Sequence, residues 1–312
     1  MIHVHRDLEH LPQFKIAVIT IGTFDGVHLG HQQIIKLLTE EASAAGGETV
    51  IITFHPHPRK VVTHGQADVK NINTLSEKVE LLDRLGIDHL VVVAFNEVFA
   101  NQSAQEYIEN FLVKKFNPKT IIIGYDHRFG KNRSGDYHLL EELGKPFGYK
   151  VKEIPERVLN EIIISSTKIR EALLKSDVDT ANKFLGYTYF FEGKVVEGNK
   201  LGRTIGFPTA NIAVEDEEKL IPGNGVYAVE LNTEVEKKLY KGMMNIGIRP
   251  TINGGQRTIE VNLFDFDKDI YGETVRVYVK AFLRGEVKFA GLEELKEQLA
   301  KDKVEAKQRL EF

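Results

Sequence analysis

The sequence predicts an α/β protein in two parts. Residues 1–184 read as a doubly wound parallel sheet, and residues 185–312 as a small antiparallel β-barrel with a terminal helix. Two observations carry this. In the first part, nearly continuous apolar runs alternate with amphipathic helical patterns, as strands buried on both faces of a parallel sheet require. After about Leu185 the helical patterns stop, and short strands broken by turn residues take over. At 312 residues the chain is long enough for two cores.

The first-part strands are expected at Ile16–Ile21, Val50–Phe54, Leu90–Phe95, Thr120–Ile123 and Val151–Ile154. A helical pattern begins at Gln32. Thr74 with Glu77 forms a capping box, and Gly86 closes that helix. Ser103 with Glu106 forms another, opening a helix that runs to Phe116 before Pro118. The second-part strands are expected at Phe190–Val196, Val226–Leu231, Lys238–Ile246, Thr258–Phe264 and Val275–Leu283. Turns at Gly198-Asn199, Pro222-Gly223-Asn224-Gly225 and Asn253-Gly254-Gly255 separate them. A last helix is expected from Leu292 to about Lys307, with Leu292, Leu295 and Leu299 toward the barrel.

Composition narrows the function. Apolar residues make up 42% and charged residues 28%, ordinary for a soluble globular protein. A net charge of -4 gives no general attraction to nucleic acid or anionic membrane, so small-molecule partners are expected. The absence of cysteine excludes disulfides, thiolate metal sites and cysteine nucleophiles. Met1 to His10 carries several charges and no apolar core, which reads as neither signal nor anchor, and a cytoplasmic location is expected.

The chemistry of the first part starts at Gly22-Thr23-Phe24-Asp25-Gly26-Val27-His28-Leu29-Gly30-His31. A strand, a glycine-rich turn and a helix N-terminus in that order form an anion site. Gly26 and Gly30 allow close backbone approach. His28 and His31, three apart, bring two N–H donors to one phosphate. A Walker ending is absent, and Lys36 lies too far along the helix to replace it. The turn therefore reads as handling of an α-phosphate by histidine. Phe54-His55-Pro56-His57-Pro58 follows the second strand, and its prolines argue against convergence of His55, His57 and His64 on a metal. Gly124-Tyr125-Asp126-His127-Arg128-Phe129-Gly130 follows the fourth strand, at the end where open α/β sheets bind ligands. Ser165, Ser166 and Thr167 open a helix with Arg170 one turn on, a pattern suited to a polyphosphate tail.

These segments resemble the HxGH nucleotidyltransferase superfamily, in the version found in prokaryotic FAD synthetases. The resemblance implies adenylyl transfer, in which an FMN phosphate oxygen attacks the α-phosphorus of ATP and pyrophosphate leaves. It implies that His28 and His31 stabilise the α-phosphate, and that Ser165, Thr167 and Arg170, beside Ser166, hold the pyrophosphate. Gly22, Phe24, Asp25, Gly30, Asp126, Arg128 and Phe129 are implied in nucleotide or flavin binding. Mg²⁺ is implied as a bridge between phosphate oxygens. His127 stands where the family usually has an aromatic residue.

In the second part, Leu201-Gly202-Arg203-Thr204-Ile205-Gly206-Phe207-Pro208-Thr209-Ala210-Asn211 brackets a loop with Gly202 and Gly206. Thr209 and Asn211 alternate with Ala210, so an extended chain points both to one side. Their hydroxyl and amide oxygens suit Mg²⁺. This string, through Pro208, resembles the riboflavin kinase signature. Gly225-Val226-Tyr227, Asn245-Ile246-Gly247, Arg249-Pro250-Thr251 and Glu260-Val261-Asn262 follow in that family's order. The resemblance implies that Glu260 is the general base for the ribityl 5′-hydroxyl as it attacks the γ-phosphate of ATP. Taken together, the resemblances span nearly the whole chain and imply a bifunctional flavin-cofactor enzyme. Riboflavin, FMN, FAD and ATP are its expected substrates and products.

Overall fold

The computed structural model describes residues 1–63, 69–125, 127–154, 164–198, 201–233, 235–236, 238–249 and 256–310. Among them are two compact units, Met1–Ser166 and Thr167–Phe312.

The first unit is built on six strands: β1 His3–His5, β2 Val18–Ile21, β3 Thr49–His55, β4 His89–Ala94, β5 Thr120–Gly124 and β6 Lys150–Ile154. All neighbours pair parallel, in the order β1-β4-β3-β2-β5-β6. Residues of β2, β3, β4 and β5 are almost wholly buried, which is why their sequences are apolar without alternation. Four longer helices connect them: α1 Leu29–Ala45, α2 Leu75–Arg84, α3 over 104–116 and α4 Tyr137–Gly144. The capping boxes at Thr74 and Ser103 both form. Within α3, Tyr107–Val113 is wound as a π-helix. One face of the sheet packs Ile19, Ile21, Val50, Ile52, Val91, Val93, Ile121 and Ile123 against α3 and the aromatic residues around it.

The chain leaves β2 for β3 on one side of the sheet and later returns to pair β5 on the other. The C-terminal end of β2 therefore lies at a topological switch point, the place in such sheets where ligands bind.

In the second unit, six strands close a barrel in the order β10-β11-β8-β7-β12-β9. They are β7 Phe190–Val196, β8 Ala210–Ala213, β9 Gly225–Thr233, β10 Tyr240–Arg249, β11 Gln256–Leu263 and β12 Thr274–Arg284. All pairs are antiparallel. Among the described residues, three longer helices belong to this unit or lead into it: α5 Ser166–Leu174, α6 Val178–Leu185 and α7 Leu292–Leu310. The change of sequence pattern near Leu185 falls inside this unit. Its physical reason is that α6 is fastened to the barrel: Asn182 donates to the Val279 carbonyl (3.0 Å) and accepts from the Tyr189 N–H (2.7 Å).

The terminal helix turns the expected face to the barrel, with Leu299 packed there, but buries it further along than expected. Leu292 is 54% exposed, whereas Asp302, Ala306 and Leu310 are buried and Leu299 packs beside them. Asp302 is 1% exposed because the Arg284 guanidinium of β12 grips it with two hydrogen bonds, 2.8 and 2.6 Å. A charged residue thus takes a place that hydropathy assigns to leucine. Among the described residues, no helix is long and apolar enough to cross a membrane.

Candidate active sites

The turn after β2 is held in an unusual backbone conformation. Phe24, Gly26 and Val27 have φ of 47°, 86° and 36°. A β-branched residue in the left-handed region is costly, and such strain persists only where surroundings enforce it. Here they do. The Asp25 carboxylate, 2% exposed, accepts the backbone N–H groups of Ile72 (2.9 Å) and Asn73 (3.2 Å). The Thr23 carbonyl accepts from the Thr53 hydroxyl (3.0 Å) and the Lys78 ammonium (2.7 Å). The Ser166 hydroxyl donates to the Asp25 carbonyl at 2.9 Å. Phe24 and Val27 are buried beneath.

The two histidines sit where this turn enters α1. His28 is the N-cap, and its Nδ1 accepts the His31 N–H at 3.4 Å. Neutral His28 therefore carries its proton on Nε2. The two imidazoles stack with centroids 3.7 Å apart, and Phe24 covers His31 at 4.9 Å. A Cβ on Gly30 would stand 3.2 Å from the His28 ring, so glycine leaves that ring its space. Gly22 faces the Phe24 ring in the same way. His31 Nδ1 is buried without a hydrogen-bond partner. Burial first, then His28, then Lys78, push the His31 pKa well below the ordinary histidine value. The resting pair thus favours a neutral His31 at the dipole-positive end of a long helix.

The other sequence-predicted residues of this unit occupy distinct places. Arg128 pairs with Asp136 at 2.8 Å, and Asp136 also caps α4. Phe129 is buried and stacks on Tyr107 at 5.1 Å, and its backbone bridges to Gly135. A Cβ on Gly130 would strike the Ala104 backbone at 2.8 Å, so the loop lies tightly on the start of α3. Its Asp126 lies outside the described residues. The side chains of Phe24, Asp25 and Phe129 are turned into the fold, where they shape the loops. Ser165 precedes α5 and Ser166 starts it, while Thr167 and Arg170 follow on the same helix in the second unit. His57 caps the short helix Pro58–Val62, and His64 lies outside the described residues.

In the barrel, a cavity of about 300 Å³ is lined by Pro208, Thr209, Ala210 and Arg203, with Val195, Val261 and Leu263 behind. The 266–271 loop, from Phe266 to Tyr271, completes it and had no signal in the sequence. The approach of Thr209 is set by two contacts. A Cβ on Gly202 would lie 2.2 Å from the Phe207 carbonyl oxygen, and Asn262 donates to the Pro208 carbonyl at 2.7 Å. Gly206 turns the loop with φ 85°. β8 begins at Ala210, so Thr209 stands before the strand and Asn211 within it. Asn211 is register partner to Glu260, which is partner to Asn245 in turn. Directly opposed residues of an antiparallel ladder share a face, so these three point the same way. The Asn211 amide fills the space above Gly198, where a Cβ would meet its Nδ2 at 2.1 Å. Thr209 lines the cavity, and Asn211 lies in the ladder beside Glu260. Among the described residues, no group of three or more His, Asp or Glu is placed to hold a metal.

Each unit thus gathers groups chemically suited to phosphate, one with imidazoles at a helix N-terminus, the other with side-chain oxygens near a cavity. That is the layout of a two-site phosphate-transferring enzyme. Comparison with known proteins gives the particular family. Residues 11–168 match the family model for FAD synthetase, and residues 185–310 match that for riboflavin kinase. A bifunctional riboflavin kinase/FMN adenylyltransferase of Buchnera aphidicola subsp. Schizaphis graminum is 40% identical over 92% of this chain and 91% of its own. The bifunctional riboflavin kinase/FMN adenylyltransferase of Escherichia coli K12 is 37% identical over 97% and 95%. A crystal structure described as a macrolide-efflux protein from Streptococcus pneumoniae aligns over 98% of both chains, with TM-score 0.87 and 32% identity. The chain belongs to the bifunctional riboflavin kinase/FMN adenylyltransferase family.

Proposed function

We infer that this chain makes FAD in two ATP-dependent steps. The barrel phosphorylates riboflavin to FMN, and the parallel-sheet unit adenylylates FMN to FAD with release of pyrophosphate. The observation that carries this reading is the match of one chain to both family models over separate stretches, 11–168 and 185–310. We assign the first activity to residues 185–312 and the second to residues 1–184, in a cytoplasmic enzyme whose partners are small molecules.

In adenylyl transfer, the FMN phosphate oxygen forms a bond to the α-phosphorus as the bond to pyrophosphate breaks. Charge builds on the non-bridging α-phosphate oxygens. His28 and His31, stacked at the start of α1, donate to those oxygens together with the helix N-terminus. His31 is neutral before ATP binds, so it donates without the repulsion of two adjacent imidazolium rings. Ser165, Ser166, Thr167 and Arg170 hold the leaving pyrophosphate. Gly22, Phe24, Asp25 and Gly30 fix the turn, while Arg128 and Phe129 shape the loop after β5 that we assign to nucleotide or flavin binding.

In the kinase step, Glu260 accepts the proton of the ribityl 5′-hydroxyl as that oxygen attacks the γ-phosphorus. Gly202, Gly206 and Pro208 shape the loop that brings Thr209 to the cavity. The uncharged oxygens of Thr209 and Asn211 form a donor set that fits Mg²⁺ when phosphate oxygens complete it, without a carboxylate cage. Bound there, the ion would neutralise developing phosphate charge.

The test is a time course of purified protein with riboflavin, ATP and Mg²⁺, separated by chromatography. FMN should appear first and FAD after it, both steps stopping in excess chelator and resuming with added Mg²⁺. Failure to form either product overturns the bifunctional reading.

A further inference from the structure

Lys78 was not among the residues that the sequence brought forward. It lies on α2, is 8% exposed, and no surface role accounts for it. Burying an ammonium group is costly unless its donors are satisfied. Its Nζ donates to the Thr23 carbonyl at 2.7 Å and reaches the Thr53 hydroxyl at 3.5 Å. The Thr53 hydroxyl donates to the same carbonyl at 3.0 Å. Thr23 immediately precedes the left-handed residues of the turn, and Asp25 is tied to the backbone just before α2 by Ile72 and Asn73. Strand β3, helix α2 and the segment before α2 therefore converge on Thr23 and Asp25, the residues on either side of Phe24.

We infer that Lys78 is a positioning residue of the adenylyl-transfer site, whose buried ammonium clamps the Thr23 carbonyl and so holds the turn that presents His28 and His31 to the α-phosphate. The inference rests on the assignment of those histidines to adenylyl transfer. Lys78 touches no reacting atom. It acts by geometry, and also by charge. The titratable groups that face His31 are His28 beside it and Lys78 from α2, with Asp25 acting on Lys78 in turn. The Lys78 charge opposes protonation of His31, reinforcing burial and His28. Removing it takes away one of the three influences that lower the His31 pKa, so that pKa should rise.

Two variants of the full chain separate the roles. Lys78→Met keeps the stem and loses donor and charge. Lys78→Gln loses the charge and keeps a donor for the Thr23 carbonyl. Three readouts are needed: the rate of FAD formation from supplied FMN and ATP, the titration of the His31 imidazole by NMR, and a melting curve. A loosened turn displaces the histidines by ångström-scale amounts, which costs about 10²-fold in rate for Lys78→Met. Lys78→Gln should recover part of that loss. In both variants His31 should titrate at higher pH than in the parent protein, and the partial recovery of rate in Lys78→Gln, which restores the donor alone, is the result that a packing role would not produce. Parental rates in a folded Lys78→Met protein, or an unmoved His31 titration, overturn the inference. If Lys78→Met does not fold, the His31 titration in Lys78→Gln decides. His31→Ala is measured in parallel: unaltered FAD formation there overturns the histidine assignment itself, independently of Lys78.

Discussion

Replacing Gly202 with alanine asks whether the kinase depends on the exact course of the loop before β8. The backbone of Gly202 has no left-handed φ, so alanine adds bulk without conformational strain. Its methyl would lie 2.2 Å from the Phe207 carbonyl oxygen. An ordinary carbon–oxygen approach is about 3.3 Å, so the two must part by roughly 1 Å. The obstacle is backbone and cannot rotate aside. The Phe207 N–H also donates to the Gly202 carbonyl at 2.8 Å, which couples the two sides of the loop. Thr209, two residues on, inherits the displacement. A 1 Å error in a positioned group costs about 10²-fold in rate, equivalent to about 2.7 kcal/mol of transition-state stabilisation. The assay follows FMN formation from riboflavin, FAD formation from FMN, and thermal melting on one preparation. FMN formation should fall by that factor while FAD formation from FMN stays within about twofold. A folded Gly202→Ala protein with a parental kinase rate would refute the claim that this loop positions catalytic oxygens.

Three further outcomes follow from the same structure. His31→Ala should lower FAD formation from FMN by about 10²–10³-fold, the usual effect of one lost preorganised donor, while Glu260→Gln should halt FMN formation and spare the second step. Equal loss of both steps in either folded variant, read by chromatography, would contradict separate sites. Asp302→Ala should destabilise the barrel unit by about 3 kcal/mol in urea unfolding, because it leaves the Arg284 guanidinium without its buried partner. A change within experimental error would mean that water replaces the carboxylate. The third concerns acid. The folded pKa of His31 lies below its unfolded value of 6.5, so the unfolded chain binds the extra proton in that interval. Stability is therefore at its full value above pH 6.5 and is lost as pH falls toward the folded pKa. His5 and His89, whose pKa values are lowered chiefly by burial, act in the same direction. His31→Gln should make urea-derived stability fall less steeply between pH 6.5 and 5, and an unchanged slope would deny His31 this role.

Local signals made most of the fold legible. The run Val50–Phe54 became β3 Thr49–His55, and Phe190–Val196 matched β7 residue for residue. β8 escaped notice because Ala210–Ala213 sits inside a loop motif, and its strand character comes from pairing on both sides with β7 and β11. β1 escaped because His3-Val4-His5, too short to show a pattern of its own, becomes a strand only beside β4. The face of α7 toward the barrel was legible from Leu295 and Leu299, but its continuation through Asp302 was not, because Asp302 looks like a surface residue until Arg284 is brought to it across the fold. The site divides in the same way. His28 and His31 are neighbours on one turn and were visible as such. Lys78 and Thr53 reach that turn from 55 and 30 residues away, and nothing in their own surroundings marks them.

The two sheets also differ in what they leave open to other chains. The barrel is closed, so each described strand has neighbours on both sides. The parallel sheet ends at β1 and β6, whose outer backbone groups could template another strand. β1 is only three residues long, and β6 reads Lys-Val-Lys-Glu-Ile with Lys150, Lys152 and Glu153 exposed. A brief edge and a charged edge both resist edge-to-edge pairing. Exchanging Lys150 and Lys152 for threonine would give the sheet a flatter, more adhesive border and should appear as concentration-dependent self-association, with both catalytic sites untouched.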